Sequence, residues 1–342
     1  MKGYVLGLLT LVFWASDVWS APWESLIEVR TEHHLQDVVA LRHWFHANPE
    51  LGNREFNTSA RSAQALKDLG FDDVKEGIAH TGVVGMLRGG RPGPTVALRA
   101  DMDALPVKEK TGLPFASTVT TLWGGVETGV MHACGHDAHM AILLGVARVL
   151  SDMRAEIPGT VMFVFQPAEE GPPLDEEGGA ELMLKEGIFR GADRPGAVFG
   201  LHVFPGPTGS IMYRPNGFMA ASDYLEIEVE GVQTHGSMPW GGVDPIAAAA
   251  QVVNSLQTVV SRQMDISKAP AVVTIGTIAG GNRGNIISDR VLMTGTIRTL
   301  DPQMQTEIHE RVRNTATAAA ATMNATAKVT IDVGYPVTVT YP

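Results

Sequence analysis

Short, nearly continuous apolar runs alternate with amphipathic stretches through the first part of the chain. The runs are Gly82 to Leu87, Thr95 to Leu98, Thr160 to Phe165 and Ala197 to Leu201, each bounded by Gly, Pro or charged residues. Unbroken apolar character over so short a length is how strands buried on both faces read. Helical spacing separates them over Ser59 to Leu69 and Asp137 to Met153, with a weaker pattern over Ala180 to Glu186. Strands alternating with helices predict an α/β sheet with helices on both faces.

From Asp223 onward the pattern changes. In DYLEIEVEGV, Leu225, Ile227 and Val229 alternate with polar, mostly acidic residues, predicting a strand with one exposed face. A helix follows, with Asp244 as N-cap, Pro245 at its first position, and Ile246, Ala249, Val253, Leu256 and Val260 at helical spacing. Two strands, AVVTIGTIAG and RVLMTGTIRT, lead to a second helix opened by Asp301 and Pro302. Met304, Ile308, Val312, Ala319 and Met323 lie along one side of it, and AKVTIDVGYPV closes the unit as a strand. The order β-α-β-β-α-β predicts a ferredoxin-like domain. Pro215 and Gly217 mark the break before it, dividing the chain into residues 21–215 and 216–333.

Composition narrows the class. The chain of 342 residues is 44% apolar and 18% charged, which suits a globular enzyme and excludes a disordered or fibrous one. A net charge of −11 argues against a nucleic-acid partner, since phosphate binding needs a basic surface. Residues 1–20 carry a leader pattern: Lys2, an apolar run from Tyr4 to Ala15, then the small Val18 and Ser20 before Ala21. The run is shorter than the roughly 20 residues of a membrane span. Export is therefore expected, to a secreted, periplasmic or lumenal destination, with no stable membrane anchor. The single cysteine, Cys134, has no partner in its own chain, leaving an inert thiol, an intermolecular bridge or a metal ligand.

In open α/β sheets ligands gather beyond the carboxyl ends of the strands. Asp101 and Asp103 follow the second apolar run, Glu169 and Glu170 the third, and His202 the fourth. Cys134 and His136 stand just ahead of the helix near Asp137. Thiol, imidazole and carboxylate converge on one sheet edge, a donor set suited to a divalent transition metal. Metal-assisted hydrolysis is the chemistry this predicts, with a carboxylate to move a proton. Spacing alone does not rank Glu169 against Glu170.

The ordered motifs ALRADMDALPV, MHACGHDAHMAILLGVARVL, FVFQPAEEG, FGLHVFP, THGSMPWGGVDPI and IRT closely resemble one family. It is the amidohydrolase branch of the aminoacylase and carboxypeptidase-type metallopeptidases, which includes hippurate and indole-acetyl-amino-acid hydrolases. The resemblance runs from about Leu41 to the end of the chain. It implies an α/β metallopeptidase domain, its mixed sheet flanked by helices, and an inserted ferredoxin-like lid or dimerisation domain. It also implies two divalent ions per subunit, zinc or manganese, and no organic cofactor. Cys134, His136, Glu170 and His202 are the implied metal ligands. Glu169 is the implied general base and acid, and Asp103 the residue orienting the site. Asp101 stands where relatives outside this branch carry a metal-binding His, a role Cys134 takes over. His139 and His132 match the motif but are not implied ligands. His235 is implied to hold the oxyanion, and Asn285 and Arg298 to lie near the substrate carboxylate. The implied substrate is an N-acyl amino acid or a small peptide-like amide with a free carboxylate, and a homodimer through the lid is implied.

Two features depart from the family pattern. PPLDEEGG lengthens the gap between Glu170 and His202. The chain also stops at GYPVTVTYP, where residues 334–342 only begin the return to a first domain that in the family adds further strands and a last metal-binding His. The expectation is an incomplete catalytic domain with little or no turnover. The alternatives to an active hydrolase are an impaired truncated homologue or a binding protein for acylated amino acids.

Overall fold

The computed structural model describes residues 22–341, so the predicted leader at Met1 to Ser20 lies outside the described residues. The first helix, α1 (Pro22–Ala47), is absent from the apolar pattern. Among its described side chains only Leu41, Phe45 and His46 are buried, so no apolar stripe repeats along them. Next come α2 (Phe56–Asp68), β1 (Asp73–Ile78), β2 (Gly82–Arg88) and β3 (Arg91–Asp101). A hairpin of β4 (Thr120–Trp123) and β5 (Val126–Gly129) precedes α3 (His136–Asp152). Then β6 (Pro158–Gln166), α4 (Gly179–Lys185) and β7 (Ala197–Gly200) lead to Gly206, where this compact unit ends.

The five strands lie in the order β1-β2-β6-β3-β7, antiparallel from β1 to β6 and parallel from β6 to β7. The sheet is therefore mixed. Phe45, Leu66, Leu144, Leu87 and Phe163 fill one face between the sheet and α1, α2 and α3. On the other face Met86, Met162 and Val164 meet Met183 of α4. The apolar runs in β2 and β6 are buried on both faces as expected. The run at Ala197 to Leu201 is not, for Val198, Phe199 and Leu201 are exposed. Among the described residues β7 pairs only with β3, and apolar composition alone cannot reveal whether anything covers a strand.

The second unit begins at Pro207. It runs through β8 (Asn216–Met219), β9 (Ser222–Glu230), β10 (Thr234–His235), α5 (Pro245–Thr258), β11 (Ala271–Gly280) and β12 (Ile286–Ile287). It continues with β13 (Arg290–Thr299), α6 (Pro302–Ala321), β14 (Thr326–Tyr335) and β15 (Thr338–Thr340). Its main sheet has the order β11-β13-β9-β14, with every neighbouring pair antiparallel, which is the ferredoxin-like topology. Asp244 accepts hydrogen bonds from the Ile246 and Ala247 amides, and Asp301 from that of Met304, so both caps form. Leu225, Ile227 and Val229 are buried against the two helices.

The helix faces need correction. In α5 the buried residues include Ala248, Ala249, Val252 and Leu256, while Ile246 is exposed. PIAAAAQVV is apolar nearly all round, so its periodicity fits two adjacent stripes equally well. Met323 lies past the end of α6 and is exposed. No helix among the described residues is long and apolar enough to cross a membrane.

Candidate active site

The parallel pairing of β6, β3 and β7 brings three carboxyl ends to one edge of the sheet. Asp101 closes β3 and Asp103 lies two residues on. The turn carrying Glu169 and Glu170 follows β6, and His202 follows β7. Cys134 and His136 reach the same edge through Gly135, the N-cap of α3, whose φ of 85° falls in the left-handed region. A Cβ on Gly135 would stand 2.3 Å from Val203 Cγ2. Glycine thus permits both the turn and the close approach of the His202 loop. Gly135→Ala is expected to destabilise the protein by more than about 1 kcal/mol and to weaken metal binding, measured by thermal melting and metal titration. An unchanged melting temperature would show that the loop yields freely.

The result is a tight cluster. Cys134 Sγ lies 3.4 Å from His202 Nε2, and His202 Nδ1 donates to the Val203 carbonyl at 2.7 Å. His136 Nδ1 donates to the Asp103 carbonyl at 2.8 Å, with an Asp103 carboxylate oxygen 3.2 Å away. That leaves His136 Nε2 buried and without a hydrogen-bond partner among the described residues. It faces Glu169 Oε2 at 3.7 Å, Asp101 Oδ1 at 3.7 Å and Glu170 Oε1 at 4.0 Å. Donor atoms of Cys134, His136 and His202 lie within 4.8 Å of one another, as do those of His136, Glu169 and Glu170.

The electrostatics agree with a cation site. Burial, with Glu170 and Glu169 alongside, pushes the Cys134 thiol up to about 12. Burial opposes a charge on His136, but Asp103 and Asp101 outweigh it and raise the imidazole to about 9. Burial, helped by Asp101, also raises Glu169. An enclosed acidic set that holds its protons so firmly stabilises positive charge, and a divalent ion there takes the place of those protons. An orphaned imidazole nitrogen beside a thiol and two carboxylates fits such an ion.

His139 has a different role. The Val203 amide donates to its Nε2 at 2.8 Å, so Nδ1 carries the proton and donates to Asp101 Oδ1 at 2.5 Å. Both ring nitrogens are used, although Asp101, His136 and His139 also converge. Arg99 completes the chain through Asp101 Oδ2 at 2.6 Å and Gln166 at 2.9 Å. Burial works against ionisation of Asp101, but His139 and Arg99 hold its carboxylate far below the usual range. This clamp on the residue after His202 is not legible from residue spacing. Its visible trace was His139 standing three residues after His136, on the same helix face. His132 is buried, and burial lowers it to about 4.

Sequence reasoning also missed Glu55, which is fully buried beside Thr81 and Ala168. A single glutamate in an ordinary loop carries no signal of this. The three residues expected at the substrate lie in the second unit. His235 and Asn285 are brought together there, since His235 pairs with Ile286 and the Gly236 amide donates to the Asn285 carbonyl at 2.8 Å. Arg298, on β13, has Nη1 3.5 Å from the Ala221 carbonyl.

A parallel sheet edge that assembles thiol, imidazole and paired carboxylates defines a metallohydrolase of the α/β class. The chain belongs to peptidase family M20/M25/M40, whose model matches residues 97–337. It is similar to thermostable carboxypeptidase 2 of Saccharolobus solfataricus, with 41% identity over 309 residues, covering 89% of this chain and 74% of that one. N-acetyl-L-cysteine deacetylase of Bacillus subtilis is 38% identical over 277 residues, covering 81% of this chain and 62% of that one. Among solved structures, the Bacillus subtilis YXEP protein, described as a dinuclear metal binding peptidase from the M20 family, superposes with a TM-score of 0.74. It is 33% identical, with 91% of this chain and 76% of that chain covered. The protein is thus a metal-dependent, carboxypeptidase-like hydrolase.

Proposed function

We propose that the protein hydrolyses the amide bond of N-acyl amino acids, or of small peptide-like substrates, that carry a free carboxylate. The observation that carries this reading is the buried His136 Nε2, unsatisfied among the described residues, facing Glu169 and Glu170 beside Cys134 and His202. Cys134, His136, Glu170 and His202 would hold two divalent ions. Bound metal supplies Lewis acidity for the carbonyl and lowers the pKa of water. Glu169 takes the proton from the attacking water and delivers it to the amide nitrogen as the C–N bond breaks. Burial raises its pKa, which favours a group that must hold the proton between accepting and donating it. Asp103 orients His136 through Nδ1 and sets its tautomer. His235, Asn285 and Arg298 are the proposed substrate-binding residues of the second unit. The names of relatives that act on N-acetyl-cysteine and as carboxypeptidases support this substrate class.

The test is hydrolysis of a panel of N-acetyl amino acids by the purified protein, with metal counted by elemental mass spectrometry. Turnover should disappear with a strong chelator and return with zinc or manganese. Turnover that survives complete removal of metal would refute the reading.

A further inference from the structure

Glu55 presents an anomaly. It is fully buried, and among the described residues no basic side chain pairs with it. A buried carboxyl without a cation is costly unless its oxygens are hydrogen-bonded. Here Oε2 accepts from the Thr81 hydroxyl at 2.6 Å and Oε1 from the Ala168 amide at 2.8 Å. Ala168 is the informative partner. Its φ is 46°, a left-handed conformation disfavoured for a residue bearing a Cβ. This is the point where the chain leaves β6 and turns into Glu169 and Glu170. The loop before α2 lies directly on that turn, because a Cβ on Gly52 would be 2.8 Å from the Gly171 carbonyl oxygen and 3.1 Å from Ala168 Cα. On the far side of the turn, the Glu170 amide donates to Asp103 Oδ2 at 2.8 Å. The backbone is pinned on either side of Glu169, at Ala168 and at Glu170.

We propose that Glu55 is a positioning residue for hydrolysis: its carboxyl holds Ala168 in the left-handed turn that aims Glu169. This rests on Glu169 being the proton carrier. Burial raises Glu55 to about 7, against the hydrogen bonds from Thr81 and Ala168, so a neutral side chain of the same shape suits the pocket. Backbone strain gathers where a functional side chain needs a particular direction, and surrounding contacts hold it there.

The experiment compares Glu55→Gln, which keeps an oxygen for the Ala168 amide, with Glu55→Leu, which removes it. Each variant is assayed for kcat and KM on an N-acetyl amino acid, for bound metal, and for amide hydrogen exchange across the Ala168 to Gly171 turn. Glu55→Leu should lower kcat about 100-fold, the scale of a misplacement near 1 Å, with KM and metal content little changed and exchange in the turn faster. Glu55→Gln should keep most of the turnover and the protection. Adding Ala168→Gly to Glu55→Leu should restore about tenfold, because glycine adopts the left-handed turn without support. A purely structural role would not be rescued at that one position.

Three results would overturn the proposal: an unaltered kcat in Glu55→Leu, a loss of kcat matched by loss of metal, or Gln as damaging as Leu. If Glu55→Leu does not fold, Thr81→Val serves in its place. Faster exchange at Ala168 with reduced kcat supports the proposal, and no change in either refutes it. Undiminished turnover by Glu169→Gln would instead remove the Glu169 assignment, a failure read from a different variant.

Discussion

Replacing Glu169 with glutamine is expected to lower kcat by about 10²- to 10⁴-fold while bound metal stays at the wild-type level. Glutamine keeps the size and polarity of the side chain but cannot accept a proton from water. Glu169 Oε2 lies 3.7 Å from His136 Nε2, near enough to serve the same centre. Its neighbour should behave differently. Glu170 raises the Cys134 thiol by charge and by hydrogen bond, and its amide is tied to Asp103, so its carboxylate belongs to the set that favours a cation. Glu170→Gln is therefore expected to lower metal content first, with turnover falling as a consequence. Steady-state kinetics and elemental mass spectrometry on both variants decide the matter. Equal metal loss in the two would mean that their roles are wrongly divided.

Changing Asp103 to alanine is expected to weaken metal binding by about 10- to 100-fold, the usual effect of removing a group that orients a ligand. Asp103 touches the site twice. One carboxylate oxygen lies 3.2 Å from His136 Nδ1, and the other accepts the Glu170 amide at 2.8 Å. Alanine removes both carboxylate contacts and leaves His136 only its hydrogen bond to the backbone carbonyl, while asparagine keeps an oxygen for the Glu170 amide. Asp103→Asn should therefore fall between wild type and Asp103→Ala in a competition titration against a chromophoric chelator. Wild-type affinity in Asp103→Ala would show that the backbone alone sets the His136 ring.

Much of this site could be read in advance because its chemistry sits at the ends of regular elements. Each of Asp103, Glu170 and His202 follows an apolar run within a few residues, and His136 opens a helix. The choice between Glu169 and Glu170 was not legible in residue spacing. Two adjacent carboxylates in a turn differ only in where the backbone points them, so the resemblance alone ranked them. The exposure of β7 was equally hidden, since Ala197 to Leu201 is as apolar as the buried run in β6. The face of α5 slipped because alanines allow neighbouring stripes.

By itself, then, the sequence determined the type and order of most elements, the ferredoxin-like unit with its two Asp-Pro helix starts, and which residue types gather at the candidate cation site. These properties are local: periodicity, capping and strand ends depend on neighbours a few positions away. Only the tertiary structure decided that His136 Nε2 has no hydrogen-bond partner among the described residues, that His139 is spent on Asp101 and Val203, and that Glu55 supports Ala168 from 113 residues away. Each depends on which distant groups meet in a closed interior, and there the cost of an unpaired polar atom, rather than any local preference, fixes the partner.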